Sequence, residues 1–231
     1  IPPVEPPIDP LTGADLPESP ARVAAALAPP AASGHFDELR GGVSPGDGRR
    51  GPLAPSWSAF FEHLGEPGFA DLDSRRQDLA RQVRDNGITY NVYADAGGPQ
   101  RPWSLDLFPL VITPESWRGI EAGLLQRVRL LDSILADVYG PQQLLARNLL
   151  PPALVQGHPG YLRAMHGVRP AGDTFLHIAA FDLARDPRGQ WWVVSQRTQA
   201  PSGLGYLLEN RLILSRLFPQ AFGALRVQRL A

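Results

Sequence analysis

The chain has 231 residues, 43% of them hydrophobic, enough to bury a sizeable core in one large or two small domains. Its formal net charge of -1 gives no electrostatic case for nucleic acid or an acidic membrane surface as a partner. All 22 basic residues are arginine and there is no cysteine, which excludes a P-loop lysine, a Schiff-base lysine, a Ser-Lys pair, disulfides, thiolate metal sites and a cysteine nucleophile within this chain.

Residues 1–34 hold nine of the 25 prolines, many alanines and few large apolar groups, which predicts an extended or disordered leader with a helical turn or two at Ala21–Leu27. The stretch Gly41–Pro55 reads as a second loose segment. Helices are predicted over Ser56–Leu64 and Asp71–Asp85, the latter stopped by Asn86-Gly87. β-formers over Ile88–Tyr93 and Trp103–Leu107 flank Asp95-Ala96-Gly97-Gly98 and predict a hairpin. The clearest helical pattern is Pro114–Tyr139, with Thr113 as cap, Pro114 in the first position, and Ile120, Leu124, Val128, Leu131, Leu135 and Val138 at spacings of three and four. Its other face, carrying Arg118, Glu121, Arg129 and Asp132, reads as solvated. A short helix near Gln142–Arg147 and a loop through Pro151-Pro152 follow. Next comes a β segment at Thr174–Ala184, turned by Asp186-Pro187-Arg188-Gly189 into a returning strand at Trp191–Gln196. The last helix carries Leu204, Leu207, Leu208, Leu212, Ile213, Leu214 and Leu217, apolar nearly all round, and is expected to be buried. No apolar run reaches bilayer-spanning length and no signal-like start is seen; the absence of cysteine fits a reducing cytoplasm, and a cytoplasmic protein is expected.

The second hairpin is where chemistry is expected. Pairing its strands symmetrically about the turn sets Asp182 opposite Val193 and puts Asp182, Ser195 and Arg197 on one face; a one-residue bulge would break that arrangement. Asp182 reads either as a ligand or as an ion-pair partner of Arg185 or Arg197. Beyond the second strand, Ser202 is a good N-cap, Gly203 lets the backbone turn, and the helix start leaves N–H groups suited to an anion. Thr198 and Gln199 can serve the turn backbone. Glu209, Asn210 and Arg211 form either a structural network or the lining of a site. The five histidines, His35, His63, His158, His166 and His177, show no metal-ligand spacing. No Gly-x-Ser-x-Gly elbow is present, and Gly203-Leu204-Gly205 lacks the third glycine of a dinucleotide fingerprint.

The segment Gln190 to Gly203 running into Leu204-Gly205-Tyr206-Leu207-Leu208-Glu209-Asn210-Arg211 resembles the circularly permuted ATP-grasp family (type 2). So do, in the same order along the chain, His35-Phe36-Asp37-Glu38-Leu39-Arg40, Asn86 to Tyr93, Pro102 to Leu107, Gly157-His158-Pro159-Gly160 and His177 to Leu183. The resemblance spans roughly residues 35–231 and is closest to the long form fused to an α-helical domain. It implies an α+β fold of antiparallel β hairpins packed against long helices. Residues 35–231 are then expected to be an incomplete domain, its other half following Ala231 and supplying the adenine-side lysine, and the fragment alone to be inactive. The family's chemistry implies ATP and Mg²⁺ as cofactors, and small-molecule or peptide carboxylates and amines as substrates, joined into an amide through an acyl phosphate. It implies Asp182 as a metal contact and Arg197, Gln199, Ser202, Asn210 and Arg211 as nucleotide-site residues. Ser195 stands where the family pattern has Glu, and Arg197 where it has Asn. Arginine cannot ligate a cation but offers a planar fork of donors to phosphate or carboxylate. Either Arg197 binds an anionic group directly, or the fold has become a scaffold; neither reading involves nucleic acid or a membrane.

Overall fold

A computed structural model describes residues 19–87, 89–90, 101–228 and 230. The fold is α+β, as expected: helices with small two-stranded sheets, divided into two compact units. The first takes in the chain to Val111 with Arg185–Gln190 and Gly203–Ala231, the second Ile112–Ala184 with Trp191–Ser202.

The first unit begins with α1 (Pro20–Leu27), capped by the Ser19 side chain on the Arg22 amide. Ala24 on this helix is 4% exposed and belongs to the core; α1 is the helical turn or two expected at Ala21–Leu27. Small alanines are what allow α1 to lie close against α2 (Pro55–Ala70). Between them β1 (Phe36–Asp37) and β2 (Gly42–Val43) pair antiparallel. The buried Asp37 carboxylate accepts from the amides of Ala31, Leu39 and Arg40 and from Arg40 Nη1 at 3.0 Å. Arg40 Nη2 in turn donates to the Ala25 and Ala28 carbonyls at 3.2 and 2.9 Å, closing the C-terminal end of α1, where a cation is favoured.

Helix α2 is interrupted after Leu64 because Gly65 adopts φ 68°, ψ 170°, and Pro67 opens the second segment. Its Trp57, Phe60 and Phe61 form an aromatic core with Phe108 and Phe218; the Phe60 ring meets Phe61 at 5.4 Å and Phe218 at 5.3 Å, both edge-on. Helix α3 (Leu72–Asp85) adds Leu79 and Val83 and ends at Asn86-Gly87, with Gly87 at φ 62°. Strand β3 (Thr89–Tyr90) pairs antiparallel with β4 (Arg101–Pro102), so the returning strand of the first hairpin lies before Trp103. Ile88 and the expected turn at 95–98 lie outside the described residues. Trp103, Leu105 and Leu107 pack on the core from the loop that follows β4, which reproduces a strand's alternation of apolar residues.

In the second unit α4 (Pro114–Val138) starts at the Thr113 side chain, which accepts from the Ser116 amide at 3.2 Å. Ile120 and Val138 are buried and the positions between them on that stripe are partly buried. Asp132 is not on a solvated face: its Oδ1 accepts from the Phe175 and Leu176 amides, both at 2.8 Å. After Tyr139 the chain reverses through Gln142, at φ 53°, into the short α5 (Gln143–Ala146) and α6 (Pro152–Gln156). Pro151-Pro152 thus opens a helix, proline being tolerated in a first turn. Two 3₁₀ turns, Arg163–Met165 and Ala171–Asp173, lead to β5 (Ala180–Arg185). The β segment expected from Thr174 becomes a strand only at Ala180.

Candidate functional site

Strand β5 and strand β6 (Trp191–Arg197) form the second hairpin. Its turn closes by Gly189 N–H to Asp186 O and Asp186 N–H to Gln190 O, both at 2.9 Å, while Asp186 Oδ1 accepts from the amides of Arg188 and Gln190. Gly189 has φ 84°, the left-handed residue that a type I turn with a bulge requires. A Cβ there would also come within 2.8 Å of the Phe36 ring. Arg185 lies over that ring, 3.9 Å from its centroid, and bonds Glu38 Oε2 at 2.7 Å, so it serves the first unit.

Asp182 therefore pairs with Arg197, the second of its two expected cationic partners. Arg197 Nη1 donates to Asp182 Oδ2 at 2.8 Å and Nη2 to Oδ1 at 2.9 Å, a bidentate pair, and the Ser195 hydroxyl donates to the same Oδ2. Both partners remain about half exposed. The Arg197 hydrogen bonds first, and the Ser195 bond second, hold the Asp182 carboxyl below its ordinary range. The three side chains expected on one face do meet. The chemistry of the meeting differs from that of a cation site: both Asp182 oxygens are taken, and among the described residues no group of three His, Cys, Asp or Glu side chains is placed to hold a metal. The donor set does not fit Mg²⁺.

The other expected site residues have different surroundings. Gln199 and Ser202 are exposed. Helix α7 (Leu204–Leu217) has Gly203, at φ 110°, as its N-cap in place of Ser202, and no side chain caps it. Asn210 and Arg211 belong to the first unit. Asn210 Oδ1 accepts from Trp103 Nε1 at 3.0 Å; Arg211 donates to the Gln228 carbonyl and lies over the Phe222 ring; Glu209 accepts from Asn86. Of the two readings kept for this trio, the observed bonds are those of a structural network. Nor is α7 buried all round: Ile213, Leu214 and Leu217 are in the core, whereas Leu204, Leu207, Leu208 and Leu212 are 43–61% exposed.

A model of the circularly permuted ATP-grasp family, type 2, matches residues 109–231, just over half of the chain and including the whole β5–β6 hairpin. The chain belongs to this family. An uncharacterized protein of Mycobacterium tuberculosis is 39% identical over 180 residues, covering 74% of this chain and 20% of the relative. An uncharacterized protein of Synechocystis is 36% identical over 193 residues, covering 84% and 39%, and a second one from M. tuberculosis is 35% identical over 179 residues, covering 78% and 31%. The chain thus spans 20–39% of the length of these curated relatives. ATP-grasp membership supports ATP-dependent, ligase-like chemistry at the level of the family, whose members typically bind ATP and Mg²⁺. No described helix is long and apolar enough to cross a membrane.

Sequence reasoning passed over a second polar cluster in the second unit. Gln142, Gln156, Tyr161, Arg163 and His166 line an open cavity of about 250 Å³. Two signals were present in the sequence: the proline that follows Gly140 at the end of α4, and the His158-to-His166 loop, which carries Tyr161 and Arg163 between its two histidines.

Proposed function

We propose that the chain is part of a cytoplasmic ATP-dependent carboxylate–amine ligase of the ATP-grasp kind. The observation that carries this reading is the family match over residues 109–231, which takes in both strands of the Asp182–Arg197 hairpin and the turn after it. In such a reaction a substrate carboxylate oxygen attacks the γ-phosphorus of ATP, giving an acyl phosphate and ADP. The amine then attacks the acyl carbon, phosphate leaves with the bonding electron pair, and an amide remains.

The role assigned here to Arg197 is anion recognition. Its guanidinium is held in plane by Asp182, so its orientation is set before any ligand arrives. A phosphate, with more charge than a carboxylate, competes with Asp182 for that fork, and the hydroxyl of Ser195 remains beside the displaced carboxylate. We assign Gln199 and Ser202, exposed just beyond β6, to the same ligand; for Asn210 and Arg211 we propose a supporting role for the helix they stand on.

A second reading, a scaffold derived from the ligase fold, is favoured by one observation: Asp182 is closed by Arg197 and Ser195 rather than left open to a cation. Calorimetric titration of ATP, with and without Mg²⁺, into the protein as encoded in full and into this chain separates the two. Binding by the full protein that Arg197→Ala weakens at least tenfold supports the ligase reading. Absence of binding by the full protein under both conditions supports the scaffold.

A further inference from the structure

We infer that the cavity lined by Gln142, Gln156, Tyr161, Arg163 and His166 is a binding site for a small organic carboxylate that carries hydrogen-bond donors of its own. The inference is independent of the ligase reading, since it rests on residues apart from the β5–β6 hairpin.

The frame of the cavity is built by the chain reversal after α4. Gln142 sits at φ 53°, ψ 36°, a conformation that costs a non-glycine residue about 1–2 kcal/mol, and its side chain repays part of that by bonding. Gln142 Nε2 donates to the Val138 carbonyl at 3.1 Å and to the Tyr161 hydroxyl at 3.2 Å. Both amide hydrogens are thereby used, leaving Gln142 Oε1 as an acceptor. The Tyr161 oxygen, accepting from Gln142, keeps its own proton for a ligand. Its ring is fixed by stacking on Tyr139 at 5.3 Å, and Tyr139 stacks on Phe175 at 6.4 Å. His166 Nε2 lies 2.9 Å from the Gly140 carbonyl. A carbonyl only accepts, so Nε2 carries the proton and, in the neutral ring, Nδ1 is an acceptor.

Charge decides the class of ligand. The cavity holds one guanidinium, Arg163, which makes no ion pair among the described residues, and no carboxylate lines it. The nearest acid along the reversal, Asp137, is spent on the Gln143 and Leu144 amides, both at 2.9 Å. A single planar fork matches one carboxylate, with Tyr161 as an additional donor. A phosphate would need more positive charge, and its remaining oxygens would face the acceptors Gln142 Oε1 and, in the neutral ring, His166 Nδ1. Those acceptors suit an amine, amide or hydroxyl on the same ligand. A volume of about 250 Å³ admits a molecule of amino-acid size.

The test is an NMR titration of the protein as encoded in full, selectively labelled, with L-glutamine as the probe, and with inorganic phosphate as the rival. The expected result is saturable shifts at Gln142, Tyr161, Arg163 and His166 with L-glutamine, at least tenfold weaker in Arg163→Ala, several-fold weaker in Tyr161→Phe, and unchanged in the control Arg118→Ala. Arg163 is exposed, so its loss leaves the rest of the spectrum in place. The inference is overturned if L-glutamine gives no saturable shifts, if Arg163→Ala binds as the parent does, or if phosphate binds as tightly.

Discussion

Arg197 grips Asp182 with both terminal nitrogens, at 2.8 and 2.9 Å, in a pair that the strand pattern of the second hairpin makes possible and that Ser195 completes. The pair has a signature in pH. Because hydrogen bonds from Arg197 and then Ser195 lower the Asp182 pKa in the folded state, the pair favours folding above the unfolded carboxyl value of about 3.9. That contribution is lost as the pH falls through the folded value. Carbon-13 titration of the Asp182 carboxyl is expected to show a depressed midpoint that moves back toward the ordinary range in Arg197→Ala. An unmoved midpoint in the variant would assign the depression to something other than this pair.

Asp37 is the acid on which the first unit depends. It is 5% exposed; burial pushes its carboxyl up, but the amides of Ala31 and Arg40 and the Arg40 guanidinium together bring it below the ordinary value. Asp37→Ala leaves Arg40 with one charge partner fewer in a largely buried place and is expected to destabilise the protein by about 3–5 kcal/mol. The sign in pH is the same as for Asp182: stability present above the unfolded value, lost on acidification through the folded one. Urea denaturation at neutral pH, followed by tryptophan fluorescence, measures it; a change near zero would mean that Arg40 is satisfied by the α1 carbonyls alone.

In the second unit Asp132 fastens the segment before β5 to α4 through two backbone amides at 2.8 Å. Asp132→Ala strands both donors and is expected to cost about 1–3 kcal/mol, with faster hydrogen exchange at Phe175 and Leu176. Asp132→Asn keeps an acceptor oxygen and is expected to recover most of the loss.

Gly189 tests the hairpin turn. A left-handed backbone costs an alanine about 1–2 kcal/mol, and the added Cβ would press on Phe36 at 2.8 Å, displacing the ring under Arg185. Gly189→Ala is therefore expected to lower the melting temperature by several degrees, and Arg188→Ala, on the exposed neighbour, to leave it unchanged.

Much of this molecule is written in local chemistry. Thr113-Pro114 with its apolar stripe forms α4, Asn86-Gly87 ends α3, and Asp186 to Gly189 makes the turn that lets Asp182, Ser195 and Arg197 meet, because caps, glycine conformations and strand alternation act over a few residues. The family, too, is legible from short ordered motifs, and residues 109–231 bear that out.

What tertiary structure alone decided is which polar group faces which partner. Alternation at Trp103, Leu105 and Leu107 looks the same whether a ladder or a docked loop satisfies it, and only packing on the core chose the loop. A leucine-rich α7 reads as buried throughout, yet one stripe of it lies in the core and the other is exposed. Asp132 reads as a surface residue until amides more than 40 positions away arrive at its carboxylate. The cavity around Arg163 is assembled from residues spread between Gln142 and His166, joined by a reversal that the Gln142–Tyr161 hydrogen bond helps to hold. Such bonds are weak singly and depend on geometry rather than on residue type, so sequence names the groups while the folded chain determines their pairing.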